Sequence, residues 1–182
     1  PVYITHWNLT PSDRNYIHDT NFKGAYIVKN VIDLWGKTAS MAYSVGSDIQ
    51  CVSFDTPKVL FGGGGLLAKD GFLKPSGFAF YFLNAFFPAL CEKTKIIWSP
   101  QTGTIITGSY AITAEAEYNY YLTPETDLEK ESMWKYYESR CKLKLQLQLQ
   151  GVREGNYCIK VNRINDWNGN VLGIWKEMGY EN

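Results

Sequence analysis

Hydrophobic and polar positions follow two rhythms along this chain, and the rhythm changes once. Val2–Trp7 is rich in β-formers and runs into a polar stretch, Asn8–Asp19. From Asn21 to Leu34, the residues Phe22, Ala25, Tyr26, Val28, Lys29 and Ile32 fall near the 3.6-residue spacing of a helix. Thr20 stands at its N-cap and Gly36 at its stop. A short strand, Ser40–Val45, follows, and then a long loop, Gly46–Lys74, that contains Gly62-Gly63-Gly64-Gly65. Pro75 opens a second helix, Ser76–Phe86, which Pro88 ends. Strand, helix, strand, helix is the pattern of a parallel sheet. Two such units leave sheet edges that need neighbours.

Beyond Pro88 the rhythm becomes that of short antiparallel strands. Ile96-Ile97-Trp98 and Thr104–Thr107 flank a turn and predict a hairpin. Ala111–Leu122 reads as a strand, and the charged Thr123–Arg140 as partly helical near Glu129–Tyr137. Lys142–Leu149 places Leu143, Leu145, Leu147 and Leu149 on one face. A turn at Glu154-Gly155-Asn156 leads into Tyr157–Arg163, again alternating. These segments predict an antiparallel β-sandwich. The expected division is 1–90 for the βα part and 91–182 for the sandwich.

Composition narrows the function. In 182 residues, 18 basic side chains cancel 18 acidic ones, so the charge gives no reason to bind a nucleic-acid backbone. The 45% hydrophobic content is enough for a core. The 13 Tyr, 9 Phe and 6 Trp suit ring-rich packing, and aromatic faces also suit sugar rings. Cys51, Cys91, Cys141 and Cys158 form no CxxC pair, so neither a metal nor a cofactor is expected. They read as free buried thiols, which fits a cytoplasmic location. Gly77–Leu90, the most apolar run, is too short to span a membrane. The chain opens in mid-strand without Met, which predicts a piece of a longer protein.

Four places are candidates for chemistry. Gly62–Gly65 is followed by Leu66-Leu67 rather than Gly-Lys-Ser/Thr, so it predicts a loop where backbone passes close to something, not a phosphate cradle. At the end of the first strand His6 and Asn8 share a face if the strand is regular, with Trp7 opposite. A buried histidine with satisfied hydrogen bonds is the plainer reading of His6. In His18-Asp19-Thr20, Asp19 or Thr20 reads as a helix cap. Tyr43 and Asp48 lie at the end of the second strand, where Asp48 suits either a ligand contact or a loop cap.

Ile4-Thr5-His6-Trp7-Asn8, Ile17-His18-Asp19-Thr20 with Phe22, Ala25 and Tyr26, Ser47-Asp48, Gly62–Leu67 and Lys74-Pro75 together resemble glycoside hydrolase family 39, the β-xylosidase-type enzymes. Leu145–Gly151, Gly155, Tyr157, Gly169-Asn170, Trp175 and Met178-Gly179 resemble that family's C-terminal sandwich. The resemblance implies the last two βα units of a (β/α)8 barrel, then an antiparallel β-sandwich. It also implies a retaining mechanism with two carboxylates roughly 5 Å apart. Position 6 would hold the nucleophilic glutamate, and the acid/base glutamate would lie upstream of Pro1. This chain has His6 instead, Ser44 where an aromatic is usual, Gly64 within an altered glycine run, and Ile49–Val52 in place of an acidic stretch.

These departures lead to the expectation that the chain is not an enzyme. The leading reading is a sugar-sensing effector domain of an AraC-type transcriptional regulator. His6, Trp7, Asn8, Tyr43 and Asp48 would bind a sugar or xylo-oligosaccharide, with no catalytic residue. The alternatives are a fragment of a family-39 β-xylosidase and a carbohydrate-binding or structural sandwich. Expected partners are a sugar and either a second copy or the missing barrel half, with no direct nucleic-acid or membrane contact.

Overall fold

A computed structural model describes residues 1–11, 14–51, 57–85, 95–99, 104–108, 146, 148 and 154–179. The first strand, β1, is Tyr3–Trp7. A 3-10 turn over Tyr16–Asp19 leads into α1, Asn21–Leu34. The second strand, β2, is Ser40–Tyr43, and α2 is Pro75–Asn84. Strands β1 and β2 pair in parallel, so a βαβα arrangement is present. This part has the parallel βα units that the alternating pattern predicts.

The ends of these elements follow local chemistry. Asn15 caps the 3-10 turn through a hydrogen bond from the Ile17 amide, 3.1 Å. Gly36 takes φ +76 after α1, a left-handed conformation that costs glycine little. Pro75 occupies the first turn of α2, where no amide donor is needed. Inside α1, Gly24 admits the Pro75 carbonyl oxygen, which a Cβ would meet at 3.0 Å. Absence of a side chain there lets the two helices approach.

Two apolar clusters hold this part together. Leu9, Tyr16, Ile17, Phe22, Leu60 and Ala68 pack with Leu172 and Trp175. Ile27, Ala79 and Leu83 pack beneath Trp7 and Tyr43, which also meet edge-on at 5.3 Å. Thus α1 and α2 cover one side of the strand pair.

The C-terminal part departs from the expectation. A hairpin is present: β3, Lys95–Ser99, pairs antiparallel with β4, Thr104–Gly108. Among the described residues the expected strand Tyr157–Arg163 is not a strand, and Tyr157, Ile159 and Val161 are exposed. Residues 171–177, expected within the sandwich, form a helix, α3, Val171–Glu177. It places Leu172 and Trp175 in the first cluster. The expected segments 111–122 and 129–137 lie outside the described residues, as does nearly all of 142–149.

No helix among the described residues is long and apolar enough to cross a membrane. Cys51 is buried, but Cys158 is exposed, contrary to the expectation of buried thiols.

Candidate active site at the end of the first strand

The end of β1 is not a regular strand. Ile4 pairs with Met41 and Trp7 with Tyr43, so three steps on β1 oppose two on β2. This extra residue is a β-bulge, which commonly re-aims side chains beside active sites. It cancels the simple alternation expected for His6, Trp7 and Asn8. Thr5 and His6 are both exposed, while Trp7 turns down onto the helices. His6 is therefore not a buried histidine.

Two residues after His6, Asn8 works as a clamp. Its Nδ2 donates to the Ser44 carbonyl and to the Gly64 carbonyl, the latter at 3.2 Å. Its Oδ1 accepts from the Leu9 amide at 2.7 Å and from Lys23 Nζ. The Tyr43 hydroxyl donates to the Gly64 carbonyl at 2.9 Å. One amide side chain thus ties β1, the end of β2, the glycine loop and α1 together. The Ser44–Val45 peptide bond beside it is cis.

The glycine run is closely packed, as the sequence predicts. A Cβ at Gly63 would lie 2.4 Å from Asp48 Cγ, and one at Gly64 would lie 2.7 Å from Asn8 Nδ2. At Gly65 it would meet the Asp48 amide nitrogen at 2.4 Å. Gly62 has φ +78 as well as Asn15 backbone at 2.5 Å. No side chain fits at these four positions without displacing something.

Under the loop lies a buried ionic group that the sequence reading did not assemble. Lys74 Nζ sits 2.5 Å from Asp19 Oδ1 and 2.9 Å from Asp48 Oδ2, with all three side chains fully buried. It also donates to the Gly63 carbonyl at 2.6 Å. Asp19 accepts from the Gly62 amide at 2.8 Å, and Asp48 from the Gly65 amide at 2.7 Å. Burial works against the Lys74 charge, but the two carboxylates outweigh it and hold its pKa above the ordinary lysine value. Burial, only partly offset by Lys74, raises Asp19. Asp19 therefore pairs with Lys74 instead of capping α1. Thr20 takes the N-cap position without a side-chain cap bond, its hydroxyl donating to the Ile17 carbonyl.

Two further buried groups complete the layer. His18 Nε2 lies 2.9 Å from Thr10 Oγ1, and burial followed by the Lys23 and Lys74 charges hold its pKa well below the usual histidine value. Lys23 is fully buried on α1, with Nζ 5.4 Å from the Tyr43 ring centre. Burial and the Lys74 ammonium push it well below the ordinary lysine range. Burial, then Asp48, pushes the Tyr43 hydroxyl upward. A signal for Lys23 was present: it stands in line with Ile27 and Val31, at the four-residue spacing of a buried helical stripe.

Of the five predicted ligand residues, the structure brings Asn8, Tyr43 and Trp7 together and leaves His6 exposed at the strand end. Asp48 lies below, saturated by Lys74 and Gly65. Among the described residues no group of three His, Cys, Asp or Glu side chains could hold a metal ion.

The model of the Glycosyl hydrolases family 39 matches residues 1–182. This chain belongs to that family. It is 30% identical over 186 residues to a β-xylosidase of Caldicellulosiruptor saccharolyticus, covering 98% of this chain and 34% of the relative. It is 29% identical over 182 residues to a β-xylosidase of Geobacillus stearothermophilus, covering 98% and 32%. The family-39 chain thus spans about a third of the length of these relatives. A solved GH39 β-xylosidase from Caulobacter crescentus is 34% identical over a match covering 47% of this chain and 19% of that one, with a TM-score of 0.44.

Family membership across 1–182 corrects the expectation of a non-enzymatic, sugar-sensing domain of a transcriptional regulator. That expectation leaned on substitutions around the pocket. In the structure Ser44 and Gly64 both serve the Asn8 clamp through their backbone carbonyls, so neither position reports on a catalytic side chain.

Proposed function

We propose that this chain is part of a glycosidase that hydrolyses β-xylosides, with His6 facing the sugar. The observation that carries this reading is the bulged end of β1, where His6 is exposed two residues before the clamped Asn8. Strand ends of this kind are where barrel enzymes place reactive groups. Sequence likeness to two β-xylosidases supports the substrate class. Asn8, Tyr43 and Asp48 hold the layer beneath, and Trp7 anchors the bulge in the helix-facing core.

Cleaving a glycosidic bond requires an acid to protonate the leaving oxygen and a second group on the opposite face of the sugar. A carboxylate in the second role forms a glycosyl ester and retains configuration. Imidazole suits another role, that of general base. His6 takes a proton from water as the water oxygen bonds to the anomeric carbon. The leaving oxygen takes a proton from a carboxylic acid elsewhere in the protein. This route inverts configuration.

The test is to incubate full-length protein with an aryl β-xyloside and follow the anomers by proton NMR. The expected first product of the native protein is α-xylose. His6→Glu should release β-xylose first. No hydrolysis by either protein would overturn the reading, and β-xylose from the native protein would remove His6 from the base role.

A further inference from the structure

We propose that Lys23 is a positioning residue for the strand end that bears His6. This rests on the function proposed above. Lys23 lies wholly inside the protein, in line with Ile27 on the buried stripe of α1. A leucine or methionine would fill such a place without the cost of burying an amine. What the lysine does there is specific: its Nζ donates to Asn8 Oδ1. Asp19 and Asp48 are near enough to favour its charge, but the carboxylates bind Lys74 instead.

The bond matters because of what Asn8 holds. With Oδ1 gripped by Lys23 and by the Leu9 amide, the Asn8 amide plane is fixed. Its Nδ2 then points at the carbonyls of Ser44 and Gly64. Without Lys23, Oδ1 would keep the Leu9 amide and a long contact of 3.5 Å from the Tyr43 hydroxyl. Asn8 could then rotate, and the strand end two residues before it would lose its fixed aim. Misplacing a reacting group by about 1 Å costs on the order of a hundredfold in rate.

Lys23→Met in the full-length protein separates positioning from plain packing. The expected result is a fall in kcat of about tenfold to a hundredfold on an aryl β-xyloside. KM should stay within about twofold, and the melting temperature should hold or rise, since an apolar group replaces a buried amine. Lys23→Gln, which can still donate to Asn8, should recover most of kcat. A loss of kcat that follows a fall in melting temperature in both variants would overturn the proposal, as would unchanged kcat in Lys23→Met. If native protein fails to hydrolyse the substrate, the function above falls and amide exchange decides on Lys23. The Leu9 amide donates to Asn8 Oδ1, so an Asn8 that rotates once Lys23 is gone releases it part of the time, and it should exchange about tenfold faster in Lys23→Met. Equal exchange would overturn the positioning role.

Discussion

At the scale of the residue, His18 shows how the buried group ties stability to pH. It is 1% exposed, and burial with the Lys23 and Lys74 charges keeps it neutral below the usual histidine pKa. The unfolded chain therefore takes up this proton first as pH falls below about 6.5. Stability is full above that value and drops by up to about 1.4 kcal/mol per pH unit below it. Asp19 acts in the opposite sense: its folded pKa is raised above 3.8, so the folded state binds that proton first and gains as pH falls through the raised value. The histidine effect begins at higher pH. Urea unfolding of the full-length protein at pH 7.5 and 5.5 should show a loss of about 1 kcal/mol, and His18→Gln should abolish most of it. Equal pH dependence in the variant would mean that His18 already titrates in the fold.

At the scale of the element, the glycine loop is held by contacts that leave no room for Cβ. Gly62 and Gly71 separate conformation from crowding. Both have positive φ, but a Cβ at Gly62 meets Asn15 backbone at 2.5 Å, while one at Gly71 meets nothing within 4 Å. Gly71→Ala should cost about 1 kcal/mol for the backbone alone. Gly62→Ala should cost clearly more, because the loop must also move off Asn15. Thermal melting of both variants checks the difference, and equal losses would show that the close approach relaxes freely. The close approach was legible in Gly62-Gly63-Gly64-Gly65 itself, and the structure adds its partners: Asn15, Asp48 and Asn8. The helices α1 and α2 were equally legible, since Thr20, Gly36 and Pro75 mark their ends. The β1 bulge was not. It depends on the register with β2, which no local pattern states.

At the scale of the whole molecule, β1 and β2 form a two-stranded sheet among the described residues. We propose that the outer edges are covered by further barrel strands or by a second copy. Unpaired backbone at a sheet edge otherwise invites association. In the full-length protein, every amide of Tyr3–Trp7 except the bulged residue should exchange slowly in a hydrogen-exchange experiment. Fast exchange at alternate amides would show an edge open to water. Tyr157–Arg163 is not a strand among the described residues, although it alternates; Tyr157, Ile159 and Val161 are exposed, and most of its expected neighbour, 142–149, lies outside the described residues. The helix Val171–Glu177 was missed for a reason of its own. It is short, and it is stabilised by burying Leu172 and Trp175 against residues more than a hundred positions earlier.

What the sequence determined alone is local. The spacing of apolar residues defines α1, β-formers mark β1 and β2, Pro75 starts α2, and four consecutive glycines demand tight packing. The motifs from Ile4 to Pro75 and from Leu145 to Gly179 also sufficed for the family. Tertiary structure alone decided the surroundings of His6 and Lys23. Whether a histidine is buried or presented depends on the register of a neighbouring strand. The helical spacing places Lys23 on the buried stripe of α1, but which group its amine meets there depends on residues of other segments. Asp19, Asp48 and Lys74 meet only because three separate chain segments converge beneath one glycine loop, where low polarity makes pairing of their charges obligatory.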